Sequence, residues 1–155
     1  VLKTINWEEY LKLNIDTQDV STIKIFEKRV GIEFPAEYYD LIVPNQGKTP
    51  ELYLINIGRA EVEVGPVFHF LESGNGAHSS YGMGYMRNVW EKHYPKLVPF
   101  IGAGGSGSCF ALDYSKGAVP KVVFINAEAE PGGAKSIFLV ADSITEFLSS
   151  LKDED

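Results

Sequence analysis

The 155-residue chain contains one cysteine, three histidines and two methionines, and each scarcity closes off a class of explanation. Cys109 alone permits no internal disulfide, and a cysteine-poor chain fits a reducing cytoplasm better than an oxidising compartment. His69, His78 and His93 stand apart, with no H-E-x-x-H and no clustered Cys/His spacing, so neither a metal nor another cofactor is expected. The longest apolar runs, around Val122 to Ile125 and Ile137 to Ala141, fall far short of the roughly 18 residues that span a bilayer. The amino-terminal stretch offers no continuous apolar segment with a small-residue cleavage site, so no secretory signal is expected. The reading is therefore of a cytoplasmic chain with no membrane association.

Positive charge is also in short supply. Fourteen basic side chains against 21 acidic ones leave a formal charge of −7. A general nucleic-acid binder needs clustered Lys and Arg to displace counterions from phosphates, so direct nucleic-acid binding is not expected. Part of the surplus sits in the terminal Lys152-Asp-Glu-Asp155, which reads as a solvated end. What remains is 45% apolar and 23% charged. A folded chain of this length buries roughly 68 to 70% of its unfolded surface, enough for one domain over residues 1 to 155 with its own core.

The apolar pattern begins at helical spacing. Trp7, Tyr10 and Leu11 suggest a short first helix after an Asn6 cap, and Ile23, Phe26 and Val30 mark a second that ends at Gly31. A third opens at Pro35, carries Tyr38, Leu41 and Ile42 inward, and is closed by Pro44 and the Asn45-Gln-Gly47 turn. The period then becomes two. Leu52 and Leu54, and Val62 and Val64, alternate with polar neighbours as half-buried strands do, and Val67 to Phe70 reads as another strand. Residues 73 to 84 form the most loop-like stretch. Met86, Val89, Trp90 and His93 then suggest a further helix that ends at Pro95. Strands follow at about 97 to 101, 108 to 113, 121 to 126 and 136 to 141; Val122 to Ile125 is apolar on both faces and should lie centrally. Ser143-Ile-Thr-Glu146 is a capping box that opens a last helix with the stripe Ile144, Phe147, Leu148 and Leu151. Helices first, then strands, then a closing helix describe an α+β fold: a mainly antiparallel sheet with flanking helices.

Chemistry is hard to find in this pattern. Gly102-Ala-Gly-Gly-Ser-Gly107 matches G-x-G-x-x-G, but a dinucleotide site needs a helix next, and Ser108 to Asp113 reads as a strand. A hairpin loop fits better. Cys109, in an apolar strand, reads as a small core residue rather than as a nucleophile paired with a distant histidine. No catalytic residue is assigned.

Two candidate surfaces remain. Alternation sets Glu61 and Glu63 on one outward strand face, and a hairpin pairing would bring Glu51 and Tyr53 to it. An acidic face holding an aromatic suits a basic protein partner, although the plainer reading is a hydrated sheet face. The second is Tyr81, Met83 and Tyr85, residue types enriched at interfaces, which could instead form the first turn of a buried helix.

Several segments taken in order resemble the SUKH superfamily, which includes fungal Smi/Knr-type cell-wall regulators and many bacterial immunity proteins. The resemblance covers about Ser21 to Leu151. It is carried by Ile25-Phe-Glu-Lys-Arg-Val-Gly31 running into Ile32-Glu-Phe-Pro35, by Tyr38 and the Asn45-Gln-Gly47 turn, by Leu97-Val-Pro-Phe-Ile101 leading through glycines to Cys109-Phe-Ala-Leu-Asp113, and by Val140-Ala-Asp-Ser143 with Phe147-Leu148. It implies an α+β sheet with flanking helices and a noncatalytic protein. The function so implied is binding and neutralising the C-terminal domain of a cognate secreted toxin, often a nuclease; a regulatory or scaffold module is the alternative. Relatives commonly carry aspartates in the glycine-rich loop, which has none here, and the family motifs transfer no binding residue onto this chain.

Overall fold

The computed structural model describes residues 5–13, 20–71, 79–104 and 107–154. Its centre is a four-stranded antiparallel meander, β5 (Leu97–Gly102), β6 (Cys109–Asp113), β7 (Lys121–Ile125) and β8 (Ile137–Ala141), in spatial order β5-β6-β7-β8. The expectation of an α+β fold with a mainly antiparallel sheet and flanking helices holds. β7 lies between β6 and β8 and is buried from Val122 to Ile125, as its unbroken apolar run requires. Phe110, Phe124 and Phe138 face one another across β6, β7 and β8 and form a row on one face of the sheet.

Four helices flank this sheet: α1 (Ser21–Val30), α2 (Ala36–Asn45), α3 (Met83–Glu91) and α4 (Ile144–Ser149). α1 stops where Gly31 turns left-handed at φ 81°, a conformation glycine adopts without a Cβ penalty. The helices join the core through Ile23, Phe26, Tyr38, Ile42, Met83, Ile144 and Phe147. Phe147 of α4 meets the aromatic row directly, with its ring 5.1 Å from that of Phe110.

Tertiary pairing overrides the local pattern in several places. Trp7 to Glu9 is a strand, β1, rather than the start of a helix; it pairs antiparallel with β2 (Lys48–Pro50) in the register Trp7↔Pro50 and Glu9↔Lys48. Trp and Tyr are good strand formers, and a ready edge at β2 outweighs three residues of helical spacing. Pro44 sits inside α2 instead of closing it, and the buried Asn45 side chain donates to the Leu41 carbonyl in the same turn (2.8 Å). Val67 to Phe70 is extended but makes only isolated bridges, Val67 to Ile101 and His69 to Gly82. Val89 is exposed on α3, whereas Met86 and Trp90 face inward.

The capping of α4 also differs. Ser143 accepts the Glu146 N–H (3.0 Å), as the capping box predicts. The N–H groups of Ile144 and Thr145 are taken by Glu37, which reaches across from α2 (3.3 and 3.2 Å) and also accepts from the Thr145 hydroxyl. A buried carboxylate organises the other side of α2. Glu27 of α1 accepts the Phe34 N–H (2.6 Å) and the Tyr39 hydroxyl, which fixes the α1–α2 turn.

Candidate functional site: an acidic cleft

A second hairpin carries the acidic residues. β3 (Leu54–Ile57) pairs with β4 (Ala60–Glu63) in the register Leu54↔Glu63 and Asn56↔Glu61, so Glu61 and Glu63 share a face and both are exposed. Tyr53 lies just before β3, where strict alternation no longer applies, and its carbonyl accepts the Val64 N–H (2.7 Å). The result is a cleft of about 450 Å³ lined by Glu8 of β1, Tyr10, Glu51, Tyr53 and Glu63. Gly104 of the glycine-rich loop forms part of its wall, and a Cβ at that position would stand 3.2 Å from the Glu63 carboxylate.

The carboxyl-terminal segment is bonded to the hairpin beside the cleft, which corrects the reading of a merely solvated tail. Lys152 exchanges two backbone hydrogen bonds with Leu54 (3.0 and 2.8 Å), extending the β3–β4 hairpin by one bridge. Its ammonium group pairs with Glu61. Two residues on, Glu154 accepts the Tyr53 hydroxyl (2.5 Å). That hydrogen bond first, then desolvation, and last the charges of Glu154, Asp153 and Glu63 push the Tyr53 pKa up to about 12. The shift is chiefly that of a phenol donating to a carboxylate, with the neighbouring negative charges adding to it. Glu51 is held by Asn6, whose side-chain amide donates to it (2.9 Å).

Of the residues singled out in the sequence, Glu51, Tyr53 and Glu63 come together in this cleft, while Glu61 lies at its margin, paired with Lys152. Tyr81 belongs to the same region. Burial raises its pKa, and so does Tyr10, whose hydroxyl interacts with it; Tyr81 also lines a small recess beside Gly104. Tyr10, 56% exposed, therefore bridges the two candidate surfaces. Met83 does not belong on a surface: it opens α3 with its side chain in the core, 1% exposed, because the helix begins where the chain turns inward beneath His69. Tyr85 points elsewhere, into a groove between α1 and α3 that Ile25 and Leu71 also line.

Glu8, Tyr10, Asp153 and Glu154 were not identified as site residues from the sequence. The first two sat in a segment read as a helix and the last two in a tail read as solvent-bound. Only pairing with remote strands brings the first two to the cleft and the last two beside its Tyr53.

The cleft presents carboxylates and phenols. Cys109 is fully buried in β6, and burial drives its thiol well above the ordinary range, so it stays protonated and out of reach. Gly102 and Gly107 flank the β5–β6 hairpin connection, with no helix following, so the phosphate-cradling geometry of a dinucleotide loop does not arise. Among the described residues no three His, Cys, Asp or Glu side chains converge as metal ligands, and no helix is long and apolar enough to cross a membrane.

Comparison with known proteins matches the chain to one family model. No curated protein and no solved structure matches it significantly. The matched model describes the SMI1 / KNR4 family (SUKH-1) and covers residues 19–150, which takes in the helices, the hairpin and the whole meander. The chain belongs to the SMI1 / KNR4 family (SUKH-1).

Proposed function

We propose that this protein is an immunity protein that binds and neutralises the C-terminal domain of a cognate secreted toxin, by stoichiometric occlusion and without turnover. Membership of the SUKH group supports the class. The observation that carries the reading to particular residues is the acidic cleft, in which Glu8, Glu51 and Glu63 line the walls and Asp153 and Glu154 stand beside Tyr53. A nuclease presents cationic groups to the phosphates of its substrate. An acidic cleft competes for those groups, steers the encounter electrostatically, and offers Tyr10 and Tyr53 as aromatic anchors.

The test is co-expression of a toxin C-terminal domain from a neighbouring reading frame, with and without the chain. The expected result is rescue of growth and a stable complex of the two proteins on gel filtration. Equal killing in both cultures would overturn the immunity reading.

A further inference from the structure

The two edges of the central sheet are treated differently. The outer edge of β5 is occupied: Val67 bridges to Ile101, Gly65 to Ala103, and the Phe68 N–H donates to the Phe100 carbonyl (3.0 Å). β8 ends the sheet on the other side, and among the described residues no backbone hydrogen bond reaches its outer edge. Its sequence, Ile-Phe-Leu-Val-Ala, holds none of the lysines, charges or prolines that usually blunt such an edge.

The alternation of the ladder determines which groups are free. The Asn126 N–H donates to the Ser136 carbonyl (2.8 Å), so Phe138 opposite Phe124 is the next hydrogen-bonded pair. Ile137 and Leu139 therefore turn their N–H and C=O groups away from β7. A register shift opposite Val122 and Val123 inserts Val140 as an extra residue, which confines the regular free ladder to Ile137–Leu139. Leu139 is also 63% exposed.

We infer that β8 pairs with β8 of a second copy of this chain, antiparallel about a two-fold axis at Phe138, to make one continuous eight-stranded sheet. That register sets Ile137 opposite Leu139 of the second copy, twice by symmetry, so the free donors and acceptors of both residues are satisfied in four hydrogen bonds. It covers exposed Leu139 with Ile137 of the other copy. It also sets the two Phe138 rings face to face across the axis, continuing the row that already runs through Phe110, Phe124 and Phe138 at centroid spacings of 5.4 and 6.4 Å. Self-complementarity of this kind is what an isologous two-fold interface requires. The acidic cleft lies on a different sheet, so pairing through β8 is independent of the function proposed above.

The full 155-residue chain is the material for the test. Light scattering on gel filtration over a wide concentration range should show a reversible dimer. Leu139→Lys places a charge in the seam without altering the β7 ladder, and should weaken the dimer at least about tenfold while retaining the thermal midpoint of the monomer. Hydrogen exchange gives the signature specific to this register. The Phe138 amide should be protected at all concentrations, and the Ile137 and Leu139 amides only where the dimer is populated. A wild-type chain that stays monomeric throughout, or a dimer in which the Ile137 and Leu139 amides exchange freely, would overturn the inference.

Discussion

Tyr53 and Glu154, 101 positions apart in sequence, share a 2.5 Å hydrogen bond that fastens the carboxyl-terminal segment to a tyrosine of the acidic cleft. The bond joins an aromatic anchor to the charge around it. It makes the last residues part of the surface that the proposed function uses.

The first prediction concerns the ionisation of that tyrosine. Folded Tyr53 holds its proton to about pH 12, whereas an ordinary tyrosine releases it near pH 10.0. Because the folded state binds this proton more tightly, the contribution to stability is complete below pH 10 and is lost as the pH rises towards 12. Burial also delays other tyrosines, Tyr38 and Tyr114 among them, so the readout is the difference in phenolate absorbance between wild type and Tyr53→Phe, which should show one tyrosine titrating near pH 12. In Glu154→Gln its midpoint should move down towards 10, since the hydrogen bond to Glu154 is the largest cause of the shift.

Binding should depend on charge in the cleft and not elsewhere. Glu51→Lys with Glu63→Lys is expected to weaken toxin-domain binding by at least about tenfold, mostly through the association rate and in a salt-dependent way. Glu33→Lys, on a separate cleft next to Tyr114, should change affinity little. Calorimetry at two ionic strengths measures both, and equal affinities for the two variants would remove the cleft from the proposal.

Gly104 offers a steric version of the same test. It adopts φ +63°, and a Cβ there would approach the Glu63 carboxylate. Gly104→Ala should cost about 1 kcal/mol of stability through backbone strain and should reduce binding by displacing Glu63. Chemical denaturation and calorimetry separate the two effects.

Glu37 is expected to act as the tertiary cap of α4. Glu37→Ala frees the N–H groups of Ile144 and Thr145 and should destabilise the protein by about 1 to 2 kcal/mol, or about 3 to 8 °C in Tm. Ser143→Ala, which removes a different bond, should cost about 1 kcal/mol. Because both side chains cap the first turn of the same helix, the double variant should depart from the sum by about 0.5 kcal/mol or more. Thermal unfolding followed by circular dichroism checks all three.

Cys109 should be silent to thiol reagents in the native protein and react fully once the chain is unfolded, since burial both seals it and keeps it protonated. Fast native-state labelling would contradict the assignment of Cys109 as a core residue.

The composition and periodicity of the chain determined a good deal by themselves. The uninterrupted apolar run at Val122 placed β7 in the middle of the sheet, Gly31 ended α1, and Ser143 opened α4, because burial, left-handed backbone and a free helix N–H each demand a local residue type. Family membership was legible for a similar reason, in that the order of several local motifs is itself sequence information. Tertiary structure alone decided the rest. Trp7 became a strand because Pro50 lay opposite it, Lys152 joined the hairpin through Leu54, and Glu37 capped a helix more than 100 residues away. Met83 went inside while Tyr10 stayed out. In each case the deciding partner is remote in the chain, and neither spacing nor propensity carries information about which backbone edge or carboxylate will be brought alongside. The acidic cleft is of this second kind: its carboxylates can be counted in the sequence, but their convergence on Tyr53 exists only in the fold.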